Sequence, residues 1–254
     1  MSDTNLAALS WAELGQQLRG LTIHDVSPTY SPQLPLFFAM PGVGVRSIAD
    51  RAPEESAGVS ANVWELPEHS GSHVDAPNHF VQGGASIDEL RADVLFFKPF
   101  KKFDVSVDDP QPGQPVTRAA LESAAQRGGF ELEKGDIAII EFGWDRYLPG
   151  GPDGKDAAWW GANEPGLSED ACEYLANAEV QAVACDTSAC DMTFDQCQIT
   201  GGPGHSQWFL PNGILIIEGL VNLASAPATG TFVALPLKLA AGTGSPLRVL
   251  LLSR

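Results

Sequence analysis

The segment "HSGSHVDAPNH", residues 69–79, holds three of the chain's five histidines together with one aspartate. Its metal-ligand types are His69, His73, Asp75 and His79. All four have odd numbers, so an extended chain would place them on one face. A straight strand would separate His69 from His73 by roughly 13 Å, near the limit for two imidazoles to reach one ion. The segment must therefore curve, and Gly71 and Pro77 permit that curvature.

The residue types in this segment indicate a divalent-metal site. Imidazole and carboxylate ligands without a thiolate are typical of Zn²⁺ or Mn²⁺, and the sequence does not choose between these ions. Centres built from histidine and carboxylate usually keep open positions for water, which is typical of catalytic sites. The alternative interpretation is a polar loop satisfied by hydrogen bonds, which the density of ligand-type residues in 69–79 disfavours.

Further ligands are expected from distant segments. The best candidates are His205, in "ITGGPGHSQWF" (199–209), and Glu218, which ends "GILIIE" (213–218). A carboxylate that interrupts an apolar strand is costly unless it is paired or metal-bound. The alternative for Glu218 is a charge that reaches solvent at a strand end. Gln207 is a weaker, neutral alternative to His205.

The composition limits the classes of protein to consider. The 254 residues, 44% of them hydrophobic, suit one domain over 1–254. The net charge of −17 argues against binding to nucleic acid or anionic membranes. We expect no transmembrane span and no secretory signal, because the chain lacks the long apolar run and the basic N-terminal start that these need. The four cysteines form no C-x-x-C pair, which predicts reduced thiols and a cytoplasmic location.

The expected strands outnumber the helices. A helix is predicted at about 10–20, because Ser10 and Glu13 fit a capping box and Gly20 ends the pattern. Two more helices are expected after Thr117 and Ser168. The apolar or alternating segments predicted as strands are 21–26, 60–66, 94–107, 134–144, 180–186, 213–220, 231–237 and 246–252. We therefore expect a mixed, β-rich α/β domain with a sheet or barrel core flanked by helices.

The motif resembles the pattern H-x-G-[TS]-H-x-D-x-P-x-H of the cyclase-like metal-dependent hydrolases. That family includes bacterial kynurenine formamidases and isatin hydrolases. The resemblance continues through "KGDIAIIEFGW", "NEPGLSEDACEYL", "VACDTSACD", "GILIIEGL" and "ALPLKLAAGTGSPLR". It implies a fold of the swivelling β/β/α type and assembly as a homodimer or homotetramer.

The resemblance also implies roles for individual residues. His69, His73 and Asp75 would bind a first metal, and Asp75 would bridge to a second metal held by His205 and Glu218. The matching histidine and glutamate are usually one residue closer together in sequence than His205 and Glu218. This longer spacing departs from the two-metal relatives where the second metal would be bound, so one metal ion is favoured over two. His79 falls on the position of the catalytic histidine.

The implied activity is hydrolysis of an amide, ester or lactone bond in a small, cyclic or aromatic substrate, such as an isatin-like compound, an arylformamide or a lactone. His79 would transfer the protons. Candidate substrate-binding aromatic residues are Phe37, Phe38, Trp64 and Trp208. Core packing is the alternative for each of them. Two other functions stay open: a non-catalytic, metal-dependent binding protein, and a cyclase or dehydratase that uses the same site.

Overall fold

The computed structural model describes residues 10–49, 60–191, 194–195, 198–199 and 202–254. Its helices are α1 (Trp11–Arg19), α2 (Arg118–Gly128), α3 (Ala157–Trp160) and α4 (Glu169–Asn177). Its strands are β1 (Thr22–Asp25), β2 (Gly44–Ala49), β3 (Ala61–Glu65), β4 (His73–Asp75), β5 (Phe96–Asp104), β6 (Pro115–Val116), β7 (Ile137–Glu141), β8 (Gly166–Leu167), β9 (Ala182–Cys185), β10 (Phe194–Asp195), β11 (Gln198–Ile199), β12 (Leu215–Glu218), β13 (Thr229–Val233), β14 (Gly244–Pro246) and β15 (Leu250–Ser253).

Nine of these strands form one sheet in the order β1-β15-β13-β5-β7-β9-β12-β4-β14. The central neighbours β5, β7, β9 and β12 run parallel, whereas the pairings outside them are antiparallel. Every residue of β7, β9 and β12 is buried, as continuous apolar runs in parallel strands predict. The expected mixed, β-rich α/β fold is confirmed.

The side chains of β7 alternate between two buried clusters. Ala138 and Ile140 belong to a cluster that also contains residues of α2 and α4. Ile137 and Ile139 belong to a second cluster, together with residues of β13 and β15. Because successive side chains of a strand point to opposite faces, the sheet is covered on both sides. This double burial keeps the central strands rigid, and β12 carries one of the candidate ligands at its end.

The predicted N-terminal helix is present as α1. The Ser10 amide donates to Glu13 Oε2 at 2.8 Å and the Glu13 amide donates to Ser10 Oγ at 3.3 Å, so the expected capping box is formed. None of the residues of α1 is buried. Among the described residues, every helix is too short or too polar to span a lipid bilayer.

Three cysteines, Cys172, Cys185 and Cys190, are buried and free of disulfide bonds. Cys197 lies outside the described residues.

Candidate metal centre

The histidine motif enters the sheet through a tight turn. Gly71 has φ +55°, a left-handed conformation that favours glycine, and β4 follows it. Strand β4 pairs antiparallel with both β12 and β14, and Glu218 lies directly opposite His73 in the register. Gly219 follows with φ +68°, where a Cβ atom would lie 2.2 Å from the Gly71 carbonyl oxygen. The predicted curvature is therefore confirmed, and it brings both strands close enough to share ligands.

Two groups of metal-ligand side chains meet at this point. The first consists of His69, His73 and Asp75, and the second of Asp75, His205 and Glu218. Asp75 belongs to both groups: its Oδ1 atom lies 3.4 Å from His73 Nε2, and its Oδ2 atom lies 3.3 Å from His205 Nε2. All but His69 are buried. The arrangement brings together the five ligand candidates predicted from the sequence.

His73 and His205 turn one ring nitrogen toward the carboxylates and bind an acceptor with the other. The Nδ1 atom of His73 lies 2.9 Å from the Gly71 carbonyl oxygen, and that of His205 lies 3.0 Å from Asp191 Oδ1. Because these partners accept hydrogen bonds, Nδ1 carries a hydrogen in each ring. The Nε2 atoms that face Asp75 and Glu218 are then the ones available to a metal.

His69 is held by a corresponding chain of polar groups. The hydroxyl of Thr243 donates to Glu68 Oε2 at 2.6 Å, so its oxygen accepts from His69 Nε2 at 2.9 Å. This bond leaves His69 Nδ1 facing Asp75 Oδ1, at 2.6 Å. Local sequence spacing did not reveal Asp191, Thr243 or Glu68. Of these three residues, only Asp191 had a signal in the sequence, because it is an acidic residue in "VACDTSACD", shortly after a buried strand.

Separations between the ligand atoms fit a bound ion. Ligands at about 2.1 Å from a tetrahedral Zn²⁺ ion lie about 3.4 Å from one another. The Nε2 atoms of His73 and His205 are 3.3–3.5 Å from oxygens of Asp75 and Glu218. The shorter contact between His69 and Asp75 is a hydrogen bond, so these two side chains must separate slightly to share a cation. The donor set is thus suited to divalent metal.

The buried charges also favour cations. Burial lowers the pKa of His73, but hydrogen bonds to Asp75 and Glu218 and their charges outweigh this effect and raise it to about 10. Burial acts the same way on His205, and Asp191, Asp75 and Glu218 hold its pKa well above the usual value. In the absence of a metal, the carboxylates therefore favour the protonated form of both imidazoles. A divalent ion would replace those protons, and its affinity would fall at low pH.

The longer spacing does not move His205 away from the site. His205 lies in a π-helical turn, Gly204–Trp208, in which the Phe209 amide donates to the Gly204 carbonyl at 2.7 Å. This turn takes one residue more than an α-helical turn, which accommodates the extra residue before Glu218. Gln207 is exposed and donates to Glu169 Oε1 at 3.2 Å, so it does not face the centre.

His79 lies beside the two groups and belongs to neither. Its ring stacks on His69, with centroids 3.9 Å apart, and lies 6.2 Å from the ring of His205. Burial and the neighbouring imidazoles lower the pKa of His79 to about 4, against the opposing charge of Asp75. The ring is therefore neutral near pH 7 and able to accept a proton.

A small, largely apolar pocket adjoins the centre. Its lining includes His69, His73, Leu36, Phe37, Trp160 and Ser188.

Of the aromatic residues proposed to bind substrate, Phe37 lines this pocket and the other three do not. Phe38 and Trp64 are nearly half exposed. Trp208 packs against the cluster around α4 and borders a different depression. Proximity to His205 in sequence was misleading for Trp208, because the π-helical turn carries it to another face.

The loop after β9 joins the pocket to the centre. Glu164 is buried, and its carboxylate accepts from the amides of Ser188 and Ala189 at 2.7 and 2.9 Å and from the Ser188 hydroxyl at 2.5 Å. Farther along the loop, the Cys190 amide donates to Glu218 Oε1 at 2.8 Å. One loop thus holds both a pocket residue and a candidate ligand in place.

Known proteins are similar to this chain in sequence and fold. A family model described as "Putative cyclase" matches residues 21–192, which is more than half of the chain. An isatin hydrolase of Roseibium aggregatum is 29% identical, over 75% of this chain and 74% of the relative. A kynurenine formamidase of Salinibacter ruber is also 29% identical, over 91% of this chain and 97% of the relative.

A solved structure agrees with these relatives. A crystal structure of an isatin hydrolase bound to the product analogue thioisatinate matches with a TM-score of 0.79 and 27% identity, covering 100% of this chain and 99% of that one. The family expected from the histidine motif is confirmed: the chain belongs to the putative cyclase family.

Proposed function

We propose that this protein is a divalent-metal-dependent hydrolase of a small cyclic or aromatic amide, with esters or lactones as the alternative bond type. The observation that carries the proposal is the pair of ligand groups that share Asp75 beside an apolar pocket. Relatives named as an isatin hydrolase and a kynurenine formamidase support hydrolysis. A pocket lined by Phe37 and Trp160 suits a substrate with a flat ring.

His69, His73 and Asp75 would hold one ion, and Asp75, His205 and Glu218 a second. When bound, such an ion would lower the pKa of water and polarise the substrate carbonyl. We favour two ions per chain over one, because His205 lies within reach of both carboxylates. Zn²⁺ and Mn²⁺ both suit these ligands.

His79 would act as the general base and acid. Its neutral ring next to the ligand groups could take a proton from the attacking water and return it to the leaving amine or alkoxide. The partly buried position of His79 keeps the ring neutral, and its stacking on His69 limits the directions in which it can point. Leu36 and Phe37 would exclude bulk water from the reacting bond.

We further propose that the chain assembles as a homodimer or homotetramer in the cytoplasm. Large apolar side chains are exposed on α1 and on the antiparallel strands β2 and β3, among them Trp11, Ile48 and Trp64. A second copy that covers these side chains would remove them from water. Trp64, first considered as a substrate contact, would then belong to a subunit interface.

A substrate panel tests the activity. Metal-loaded protein is incubated with isatin, N-formylkynurenine and small lactones, and ring opening or deformylation is followed. We expect turnover of at least one amide, its loss on chelation and its recovery with Zn²⁺ or Mn²⁺. Binding of these compounds without any product would contradict the proposal and favour a binding protein. A cyclised or dehydrated product would favour the cyclase or dehydratase alternative.

A further inference from the structure

Ser188 differs from the other residues that line the pocket. The polar side chains in that lining are those of His69 and His73, which are candidate ligands, and that of Ser188. The indole nitrogen of Trp160 is engaged elsewhere, since it donates to the Trp144 carbonyl at 3.3 Å. Ser188 lines the pocket and is only partly buried, and its hydroxyl hydrogen-bonds with Glu164 Oε1.

Glu164 controls the direction of that hydroxyl's hydrogen bond. Its Oε2 atom accepts from two backbone amides, those of Ser188 and Ala189. Its Oε1 atom is left for the Ser188 hydroxyl, at 2.5 Å. When Glu164 is ionised, Ser188 donates to it and turns its lone pairs to the pocket. When Glu164 is protonated, the proton must lie on Oε1, so Glu164 donates to Ser188 and the hydroxyl hydrogen is free to point elsewhere.

We propose that Ser188 contacts the substrate next to the reacting bond, and that Glu164 is a positioning residue which decides whether Ser188 accepts or donates a hydrogen bond there. This inference rests on the proposed hydrolase function. In the ionised state Ser188 would accept from the N–H of a secondary amide, which an ester or an N-alkylated amide lacks. The pair would therefore favour substrates with an amide N–H, and this preference would strengthen as Glu164 ionises.

The protonation of Glu164 falls in an accessible range. Burial, together with the charge of Glu218, raises its pKa to about 8 against the hydrogen bonds from Ser188 and Ala189. A cation bound by Glu218 would remove the contribution of that charge and lower the midpoint. Both states of Glu164 are thus populated within a pH range in which activity is measurable.

The test compares isatin with N-methylisatin, which differs by the loss of the N–H. The quantity measured is the ratio of the two kcat/KM values in metal-loaded protein from pH 6 to pH 9. Titration of groups common to both reactions, including His79, cancels in this ratio. In the wild-type protein we expect the ratio to rise with pH by roughly three- to tenfold, as expected for one neutral hydrogen bond.

Two variants separate the roles of the two residues. Ser188→Ala should give a low ratio that does not change with pH. In Glu164→Gln the backbone amides fix the amide oxygen at the Oε2 position, so the NH₂ group donates to Ser188 permanently. This variant should keep the low, acid-side ratio of the wild-type protein at every pH. The control Ser245→Ala removes a buried hydroxyl outside the pocket lining and should keep the wild-type profile.

A wild-type profile in Ser188→Ala, or in Glu164→Gln, would overturn the inference. If the wild-type protein turns over neither compound, calorimetric binding of the two to metal-loaded protein supplies the same ratio. Binding that follows the expected pattern would then support the role of Ser188, and the hydrolase function would be contradicted only if N-formylkynurenine and the lactones also gave no product. Failure to bind either compound would overturn the inference about Ser188, whereas turnover of N-formylkynurenine would still support the hydrolase function.

Discussion

The two sides of Asp75 are built differently. On the Oδ1 side, His69 and His73 come from the same segment as Asp75, and their outer nitrogens bind neutral partners, the Thr243 hydroxyl and the Gly71 carbonyl. On the Oδ2 side, His205 comes from a distant turn and is held by the buried carboxylate of Asp191. A carboxylate partner makes an imidazole a stronger ligand than a neutral partner does. The distant side therefore depends on one buried charge, whereas the local side depends on backbone geometry.

Removing Asp75, the ligand that both groups share, should disrupt both groups at once. Asp75→Ala should abolish binding of all metal ions and lower activity by at least about 10³-fold, because several kcal/mol of transition-state stabilisation are lost with the metal. Elemental analysis and kcat measure the two effects. Asp136→Asn, which alters a buried carboxyl group at the far end of β7, is the control and should retain metal. If Asp75→Ala retains metal, Asp75 is not a ligand that the two groups share.

His79 belongs to neither group of ligands, so its removal should slow catalysis without removing the metal. We expect His79→Ala to lower kcat by about 10²–10⁴-fold and to keep the metal content of the wild-type protein. The matched control is His24→Ala, which removes a histidine from β1 that bonds Ser225 and Ser253. If His79→Ala loses metal as readily as His73→Ala does, His79 is a ligand and not the base.

The partners of the outer nitrogens test the comparison directly. Asp191→Asn should weaken binding of one ion by about 10–100-fold and leave the other in place. Thr243→Val should weaken the opposite ion, by less, because a neutral hydrogen bond is lost. Calorimetric titration of each metal-free variant measures both affinities. Equal weakening of the two ions by Asp191→Asn would show that the sides are not independent.

The smallest expected effect is on the stability of the metal-free protein. The pKa of His73 is about 10 in the folded chain, above its ordinary value of 6.5. Protonated His73 therefore contributes fully to the free energy of unfolding below about pH 6.5, and this contribution is lost as the pH rises toward 10. The Tm of the metal-free protein should fall over this range, and His73→Gln should reduce the slope. A Tm that rises between pH 7 and 10 would contradict this assignment.

Local spacing predicted one side of the centre better than the other. The ligands His69, His73 and Asp75 lie in one segment, so alternation and the turn at Gly71 were enough to place them together. Glu218 could be predicted because a carboxylate in an apolar strand needs a partner. The position of His205 depended on a π-helical turn, for which the sequence carries no simple pattern, so the spacing alone did not show where His205 lies.

The supporting residues and the pocket were harder to predict. Asp191, Thr243 and Glu164 act through contacts with residues 14, 174 and 24 positions away in the chain, and no local sequence pattern links those positions. Aromatic side chains serve cores, pockets and interfaces equally well, so their residue type does not locate them. Phe37 lies in the pocket wall, whereas Trp208 packs against the buried cluster around α4.

The central claim is that two ligand groups share Asp75 in a metal-dependent hydrolase. Titration of metal-free protein with Zn²⁺ or Mn²⁺, with hydrolysis measured at each addition, tests it most directly. We predict saturation near two equivalents per chain, falling to one in His205→Ala, with activity that depends on the added metal. Full turnover by protein that elemental analysis shows to be metal-free would contradict the claim, as would saturation near one equivalent that His205→Ala leaves unchanged.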